Sequence, residues 1–371
     1  MRILHCERAH VPAVLELLAG RAGEADRLRE LQAEFEGIYF DNPWTDARFP
    51  SLVCEIDGRI VGFLGVTPRP LRLGERPLAA AVCSNFRVAD DAPPGRRPFV
   101  AAQLVKTALA GPQDLSVADG ANALSRRIWE GLGGIAAPLH SLDWMAPLRP
   151  AGALLELARI GEQRSPSLAA ALRGAARLAD LALPRFAAAR SAGAARTEPI
   201  DIAELDAIAP QPMDRLAAVH APVSRRWVVE TARRLAFDRE VQVRRVVGPD
   251  GKVLGGYVLV RRNPHLADLL EIRSVAGEPA TLLGAILEDV ARAGLALVRG
   301  HAEAAFFQAY RDLRCLLNTG RWTIVHSRDR SLLAPFREGR AALSALDGER
   351  WIGSFELAPQ GHQRAPRRPS T

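Results

Sequence analysis

Lysine is almost absent from this chain. Only Lys106 and Lys252 occur, so nearly all of its 49 basic residues are arginine. Set against 42 acidic residues they leave a formal net charge of +7. The excess lies in the middle segment and the C-terminal half, and no single element gathers it into the basic stripe that tracks a phosphate backbone, which argues against a nucleic-acid partner. Cysteine is scarce as well. Cys6, Cys54, Cys83 and Cys315 show no CxxC or other metal-ligand spacing, and three of them sit inside apolar runs, where a thiol behaves as a small hydrophobe. No metal site is expected, and a reducing compartment explains the pattern best. No apolar run approaches the about 20 residues that span a bilayer. The opening MRILHCERAH is too polar for a signal peptide, so a cytoplasmic location is expected. Also missing are a GxSxG elbow, a Walker loop, a GxGxxG turn and an HExxH helix, and the eight histidines are scattered.

What is present is the balance of a globular protein, 48% hydrophobic and 25% charged, over 371 residues. That length suits two domains of roughly 150 residues. Residues 11–36 carry apolar side chains at helical spacing and predict one or two amphipathic helices. The run SLVCEIDGRIVGFLGV reads as a β-hairpin turning at Asp57-Gly58, since both turn residues tolerate positive φ. LAAAVCSNFRV follows as a strand, then the Pro-rich loop DDAPPGRRP, a helix from about Phe99 to Leu109, the strand DLSVAD and a helix that stops at Gly133-Gly134. The order then returns: a hairpin at Asp250-Gly251, a strand over 269–275, a helix from Ala280 to Ala293, a strand at 295–301, a helix from Glu303 to Leu316 and the strand RWTIVHS. Asp57-Gly58-Arg59-Ile60-Val61-Gly62 echoes Asp250-Gly251-Lys252-Val253-Leu254-Gly255, at an offset that suits a duplicated domain, not a solenoid.

A hairpin, a strand ending in a short apolar segment, and a basic loop entering a helix together resemble the GCN5-related N-acetyltransferase (GNAT) superfamily. The resemblance covers about residues 3–148 and, more weakly, 198–330. It implies an α/β fold of two GNAT-like domains, each a mixed, mostly antiparallel twisted sheet flanked by helices. The expected divisions are 1–150, a helical Ala/Arg-rich connection at 151–196, a degenerate second domain at 197–358, and a disordered tail at 359–371.

The resemblance also implies a site in the first domain for acetyl-CoA or a longer acyl-CoA. The strand around Phe86, Arg87 and Val88 would offer backbone amides to the acyl carbonyl and pantetheine. The family's phosphate loop, Arg/Gln-x-x-Gly-x-Gly/Ala, is matched by Arg97-Pro98-Phe99-Val100-Ala101-Ala102. Amides and dipole at a helix start favour an anion there, and Arg96 adds charge. Val100 replaces the expected Gly and Pro98 removes one amide. The alternative is a solvated arginine pair.

Asn122 through Gly134 resembles the family's Asn-x-x-Ala-x-x-Leu-Tyr-Glu-x-x-Gly-Phe segment, which would turn Asn122 toward the pantetheine. Asn122 serves equally as a helix N-cap. Trp129 stands where many members place a Tyr that protonates the leaving thiolate; an indole N–H cannot do so, and core packing suits it better. In the second half the corresponding position is Tyr310, a candidate acid, but the loop before that half's helix, Ala276-Gly277-Glu278-Pro279-Ala280, has no Arg. Candidate bases are Asp119 at a strand end, Asp90 or Asp91 in the loop, and His140. The function so implied is N-acyl transfer from a CoA thioester to an amine of a small molecule, amino sugar or peptide. Two alternatives stand beside it, a degenerate GNAT-shaped binding or scaffold protein and a FemAB-like aminoacyl or peptidyl transferase.

Overall fold

The computed structural model describes residues 1–19, 25–93, 95–158, 195–208, 219–220, 225–235, 240–275 and 279–355, with helical positions at 172, 174–176 and 178–180. The loop at 276–278, most of the Ala/Arg-rich connection and the tail at 359–371 lie outside the described residues. Contacts divide the chain into two units. The first comprises Met1–Thr67, Cys83–Gly111 and the chain from Ile352; the second comprises Pro68–Val82 and Pro112–Trp351.

In the first unit β1 (Arg2–His5) pairs antiparallel with β2 (Leu52–Ile56), which pairs with β3 (Arg59–Leu73). Asp57 and Gly58 take φ of 50° and 77°, the hairpin turn that their residue types predict. Helices α1 (Val11–Ala19) and α2 (Ala25–Tyr39) and, after β4 (Arg76–Val88), α3 (Arg97–Leu109) supply the apolar faces. Leu31, Phe35, Ile38, Val53, Phe63, Val100 and Leu104 are fully buried there. Burial of this kind stabilises by about 25 cal/mol per Å² of apolar surface.

In the second unit β4 continues into a parallel pair with β5 (Leu115–Ala121). Then come α4 (Ala123–Gly131), β6 (Ile135–Ala136), β7 (Asp143–Pro147) and α5 (Pro150–Leu157). The second half brings β8 (Arg196–Pro199), α6 (Ile202–Ala207), β9 (Val219–His220), α7 (Arg226–Leu235), β10 (Val241–Val247), β11 (Val253–Arg261) and β12 (Leu266–Ser274). It continues through α8 (Pro279–Arg292), β13 (Leu297–His301), α9 (Phe307–Asp312), β14 (Leu316–Asn318), β15 (Trp322–His326) and β16 (Ala341–Ala342).

Hydrogen bonding arranges these strands in two mixed sheets. One runs β1-β2-β3-β4-β5-β15-β6, with β9 and β16 attached through β3, and the other runs β14-β7-β13-β12-β11-β10-β8. Among the described pairings both are mostly antiparallel, and each main path holds a parallel pair, β4–β5 and β12–β13. The fold class expected from the sequence is therefore what is found. Leu282, Leu283, Ile286, Leu287 and Val290 turn one face of α8 into the core of the second sheet.

Two details differ from the expectation. The strand RWTIVHS, read as the last of the second half, lies as β15 between β5 and β6 of the first sheet, and β7, which the sequence reading did not include, lies between β13 and β14 of the second. Both are five-residue strands with no local feature that selects a partner, so their pairing is a tertiary choice. The helix expected to run from Glu303 to Leu316 is also shorter. A 3₁₀ turn at Ala304–Phe306 leads into α9, and Arg314 at φ 54° ends it, with the Cys315 N–H returning to the Tyr310 carbonyl. Leu316–Asn318 is then free to pair with β7.

Candidate functional site

In the first unit β4 departs from regular strand geometry at Asn85, whose φ is 49°. Three non-glycine residues take positive φ among the described residues, and Asp57 and Arg314 are at turns. Asn85 alone of them is inside a strand. Its Nδ2 donates to the Tyr39 hydroxyl at 2.8 Å, and that hydroxyl lies 2.9 Å from Ser84 Oγ. Phe86 and Val88 are half-buried and Arg87 is exposed. Past the strand, Asp90 accepts from both Arg87 (3.2 Å) and Arg97 (2.9 Å), and Asp91 pairs with Arg59 (2.5 Å). These are exposed pairs of the kind that contribute little to stability. Arg96, Arg97 and Phe99 are all exposed at the start of α3, and Arg96 makes no ion pair among the described residues. Val100 and Ala101 are buried and Ala102 is half-buried. Val100 packs on the glycine of the opposing strand, where a Cβ on Gly62 would lie 3.1 Å from its Cγ1. The glycine missing from the loop is thus matched by one on β3, which leaves room for the larger side chain.

The second unit holds a small, partly open cavity with about 20 Å³ of free room. Its apolar wall is Leu71, Val82, Val117 and Leu343, and its polar wall is Asp119, His140, His301, Thr323, Ser344 and Asp347. Val82 and Val117 are the last registered pair of β4 and β5, although β4 continues to Val88 and β5 to Ala121. So the structure brings Asp119 and His140 together on one cavity, and His301, from the end of β13, joins them.

Each polar group is positioned by a specific contact. Asp119 Oδ1 accepts the Glu349 N–H at 2.6 Å, and Glu349 Oε1 accepts the Gly120 N–H at 2.9 Å. His140 sits in a 3₁₀ turn (Leu139–Ser141) whose Ser141 Oγ accepts the Thr323 N–H at 3.0 Å. Burial, and to a lesser degree His301, lowers the His140 pKa to about 4. The ring is therefore neutral, and its buried Nε2 has no hydrogen-bond partner among the described residues. His301 is also lowered, first by burial and then by the charge of Arg350, and its Nδ1 is 3.6 Å from Asp143 Oδ1.

Beneath the cavity lies a buried ion lattice. Arg225 Nε reaches Glu271 Oε2 at 2.9 Å, and Arg225 Nη1 reaches Asp347 Oδ1 at 2.5 Å. Burial opposes the Arg225 charge, but the two carboxylates outweigh it and raise its pKa. Arg273 pairs with Glu271 at 2.8 Å. Arg69 stands over the rings of Trp227 and Trp351 at 5.9 and 5.8 Å, and burial lowers it to about 9. Glu303 is pushed up to about 8, chiefly by burial and then by Glu271 and Asp347.

The remaining sequence candidates lie elsewhere in this unit. Asn122 caps α4, accepting the Ser125 N–H on Oδ1 at 2.9 Å. Trp129 is buried at 2% exposure. Tyr310 is buried and stacks on Trp144 with centroids 5.2 Å apart, and its hydroxyl accepts the Glu303 N–H at 3.4 Å. Burial raises its pKa well above 10. It is not among the residues that line the cavity. Cys6 and Cys315 are raised to about 12 by burial, so neither is a nucleophile near neutral pH. No group of three or more His, Cys, Asp or Glu side chains among the described residues is arranged to hold a metal. No helix among them is long and apolar enough to cross a membrane.

Tyr39, Asn85, His301 and Asp347 are the residues that sequence reasoning passed over. His301 alone carried a local signal, a polar side chain closing an apolar strand as Asp119 does.

The sequence matches no protein-family model and no curated protein. Solved structures do match. A GCN5-related N-acetyltransferase from Anabaena variabilis ATCC 29413 superposes with a TM-score of 0.55 at 10% identity, over 88% of this chain and 72% of that one. A probable N-acyltransferase of unknown function from Enterococcus faecalis V583 gives 0.53 at 11%, over 88% and 72%. Saccharomyces cerevisiae N-myristoyltransferase, solved with bound myristoyl-CoA and inhibitors, gives 0.53 at 11%, over 87% and 79%. The chain thus has the fold of the GCN5-related N-acetyltransferases, laid out as two GNAT-like sheets in tandem.

Proposed function

We propose that this protein is an acyl-CoA-dependent N-acyltransferase whose acceptor is an amine of a small molecule, amino sugar or peptide. One observation carries the reading. The parallel pair β4–β5 stops at Val82 and Val117, and both of these residues line a mostly apolar cavity into which Asp119, His140 and His301 also face. Structural neighbours of the same fold, among them a transferase with bound myristoyl-CoA, support a thioester donor.

In this reading the β4 amides around Phe86 to Val88 polarise the acyl carbonyl, as preorganised donors do most effectively. Arg96 and Arg97 at the start of α3 meet the CoA phosphates, with Phe99 exposed beside them. The amine nitrogen attacks the carbonyl carbon, the C–S bond breaks, and the thiolate takes up the proton that the amine gives up. His140 accepts a hydrogen bond from the amine and orients it. With a pKa of about 4 it is too weak a base to retain the proton, which is relayed through water to the leaving thiolate. Tyr310 holds its proton too tightly, and is too deeply buried, to be the acid here.

A second reading, a GNAT-shaped binding protein without catalysis, is favoured by Trp129, which stands buried where a phenolic acid would be expected. Thiol release from acetyl-CoA, followed with a panel of primary amines, separates the two. Amine-dependent release that falls at least tenfold in His140→Ala supports the transferase. Binding of acetyl-CoA with no release from any amine supports the second reading.

A further inference from the structure

The break at Asn85 is held from outside the strand, and the holder is Tyr39. In a regular strand successive side chains point to opposite faces. Ser84 and Asn85 nevertheless both reach one phenolic oxygen, at 2.9 and 2.8 Å. The left-handed φ of Asn85 is what brings them to the same side. A phenol has one proton and two lone pairs, so it can accept from Asn85 Nδ2 while sharing its proton with Ser84 Oγ.

Tyr39 itself is fixed. It is the last residue of α2 and is 6% exposed, with Phe35 and Phe63 against its ring at centroid distances of 4.6 and 5.5 Å. Below it lies Gly65, where a Cβ would stand 2.5 Å from the ring. An uncommon backbone conformation inside a strand persists only where its surroundings over-determine it, and such positions cluster at functional sites.

We propose that Tyr39 is a positioning residue for acyl transfer: its hydroxyl locks the Asn85 kink and so aims the β4 amides that follow it, around Phe86 to Val88, toward the thioester carbonyl. The catalytic part of this rests on the acyltransferase reading, but the lock itself does not. Tyr39 touches no reacting atom. Removing its hydroxyl leaves the pocket walls and the phosphate contacts in place and loosens only the donors.

The test compares the full-length wild type with Tyr39→Phe in two measurements. Amide hydrogen exchange in peptides covering 83–88 is expected to be roughly tenfold faster in the variant, because local opening there loses its clasp. Unchanged exchange overturns the lock whether or not the protein uses acyl-CoA. In acetyl-CoA turnover, kcat is expected to fall about tenfold to a hundredfold while the KM for acetyl-CoA stays within about threefold, the signature of an interaction made mainly in the transition state. Adding Asn85→Gly is expected to restore part of the lost kcat, since glycine takes positive φ unaided.

Turnover in Tyr39→Phe equal to wild type overturns the positioning role alone. A wild type that neither binds nor consumes acetyl-CoA overturns the transferase reading, and with it the purpose given to the kink. Should Tyr39→Phe fail to fold, Ser84→Ala, which leaves the ring stack intact, carries the same two measurements with an expected kcat loss of at least about fivefold.

Discussion

Arg225 and Asp347 face each other through two hydrogen bonds, Nη1 to Oδ1 at 2.5 Å and Nη2 to Oδ2 at 3.1 Å, with side chains only 8% and 3% exposed. Asp347 also accepts the Ser344 N–H at 2.7 Å, so the pair holds the segment that walls the cavity. Removing one partner of such a pair strands a buried charge, at a cost of about 3–5 kcal/mol. Urea unfolding of Arg225→Ala should show a loss of that size. A loss under about 1 kcal/mol would mean that the lattice does not bear on stability.

Gly348 tests the same wall sterically. A Cβ there would run into the Asp119 carboxylate, so an added methyl must displace either the segment or the acid. Gly348→Ala should cost about 1–3 kcal/mol in stability and raise the KM for the amine more than that for acetyl-CoA. Equal effects on both substrates would remove Asp119 from the acceptor side.

Glu303 predicts a pH dependence. Its carboxyl is raised from the ordinary 4.5 to about 8, so between those values the folded chain holds a proton that the unfolded chain has released. Stability from this group is therefore present below about pH 4.5 and is lost as pH rises toward 8. Glu303→Gln keeps the neutral form at every pH. Its melting temperature should match wild type near pH 5 and exceed it progressively toward pH 8.5; a constant difference across that range would show that Glu303 does not titrate in it.

Asn122 separates a cap from a ligand contact. Its Oδ1 accepts the Ser125 N–H, so Asn122→Ala should cost about 1 kcal/mol and Asn122→Asp almost nothing. If Asn122→Asp keeps stability but weakens acetyl-CoA binding, the side chain also meets the pantetheine. If binding is unchanged, the cap is its whole role.

Much of the fold was legible because it is written locally. Asp57-Gly58 announces its hairpin through two residues that tolerate positive φ, and Gly133 at φ 91° closes α4 where the sequence stops it. The pairing of β7 and β15 left no such mark, since alternation in a short strand says which face is buried but not which neighbour it pairs with. At the site, Asp119 and His140 stood out as polar groups near strand and turn ends, and the cavity joins them. Asp347 and Arg225 were invisible because they are 122 residues apart and each looks like an ordinary loop charge. Tyr39 was hidden likewise, its partner being 46 residues away and its strand reading as regular.

The most direct test of the account is calorimetric titration of the full-length protein with acetyl-CoA, alongside the Arg96→Ala/Arg97→Ala variant. Both arginines are exposed at the start of α3, and the Arg97–Asp90 pair is exposed enough to yield to a phosphate. The account predicts micromolar binding to the wild type, weakened about tenfold or more by the double substitution, which corresponds to about 1.4 kcal/mol or more. Heat signals absent for acetyl-CoA and for longer acyl-CoAs alike would contradict it.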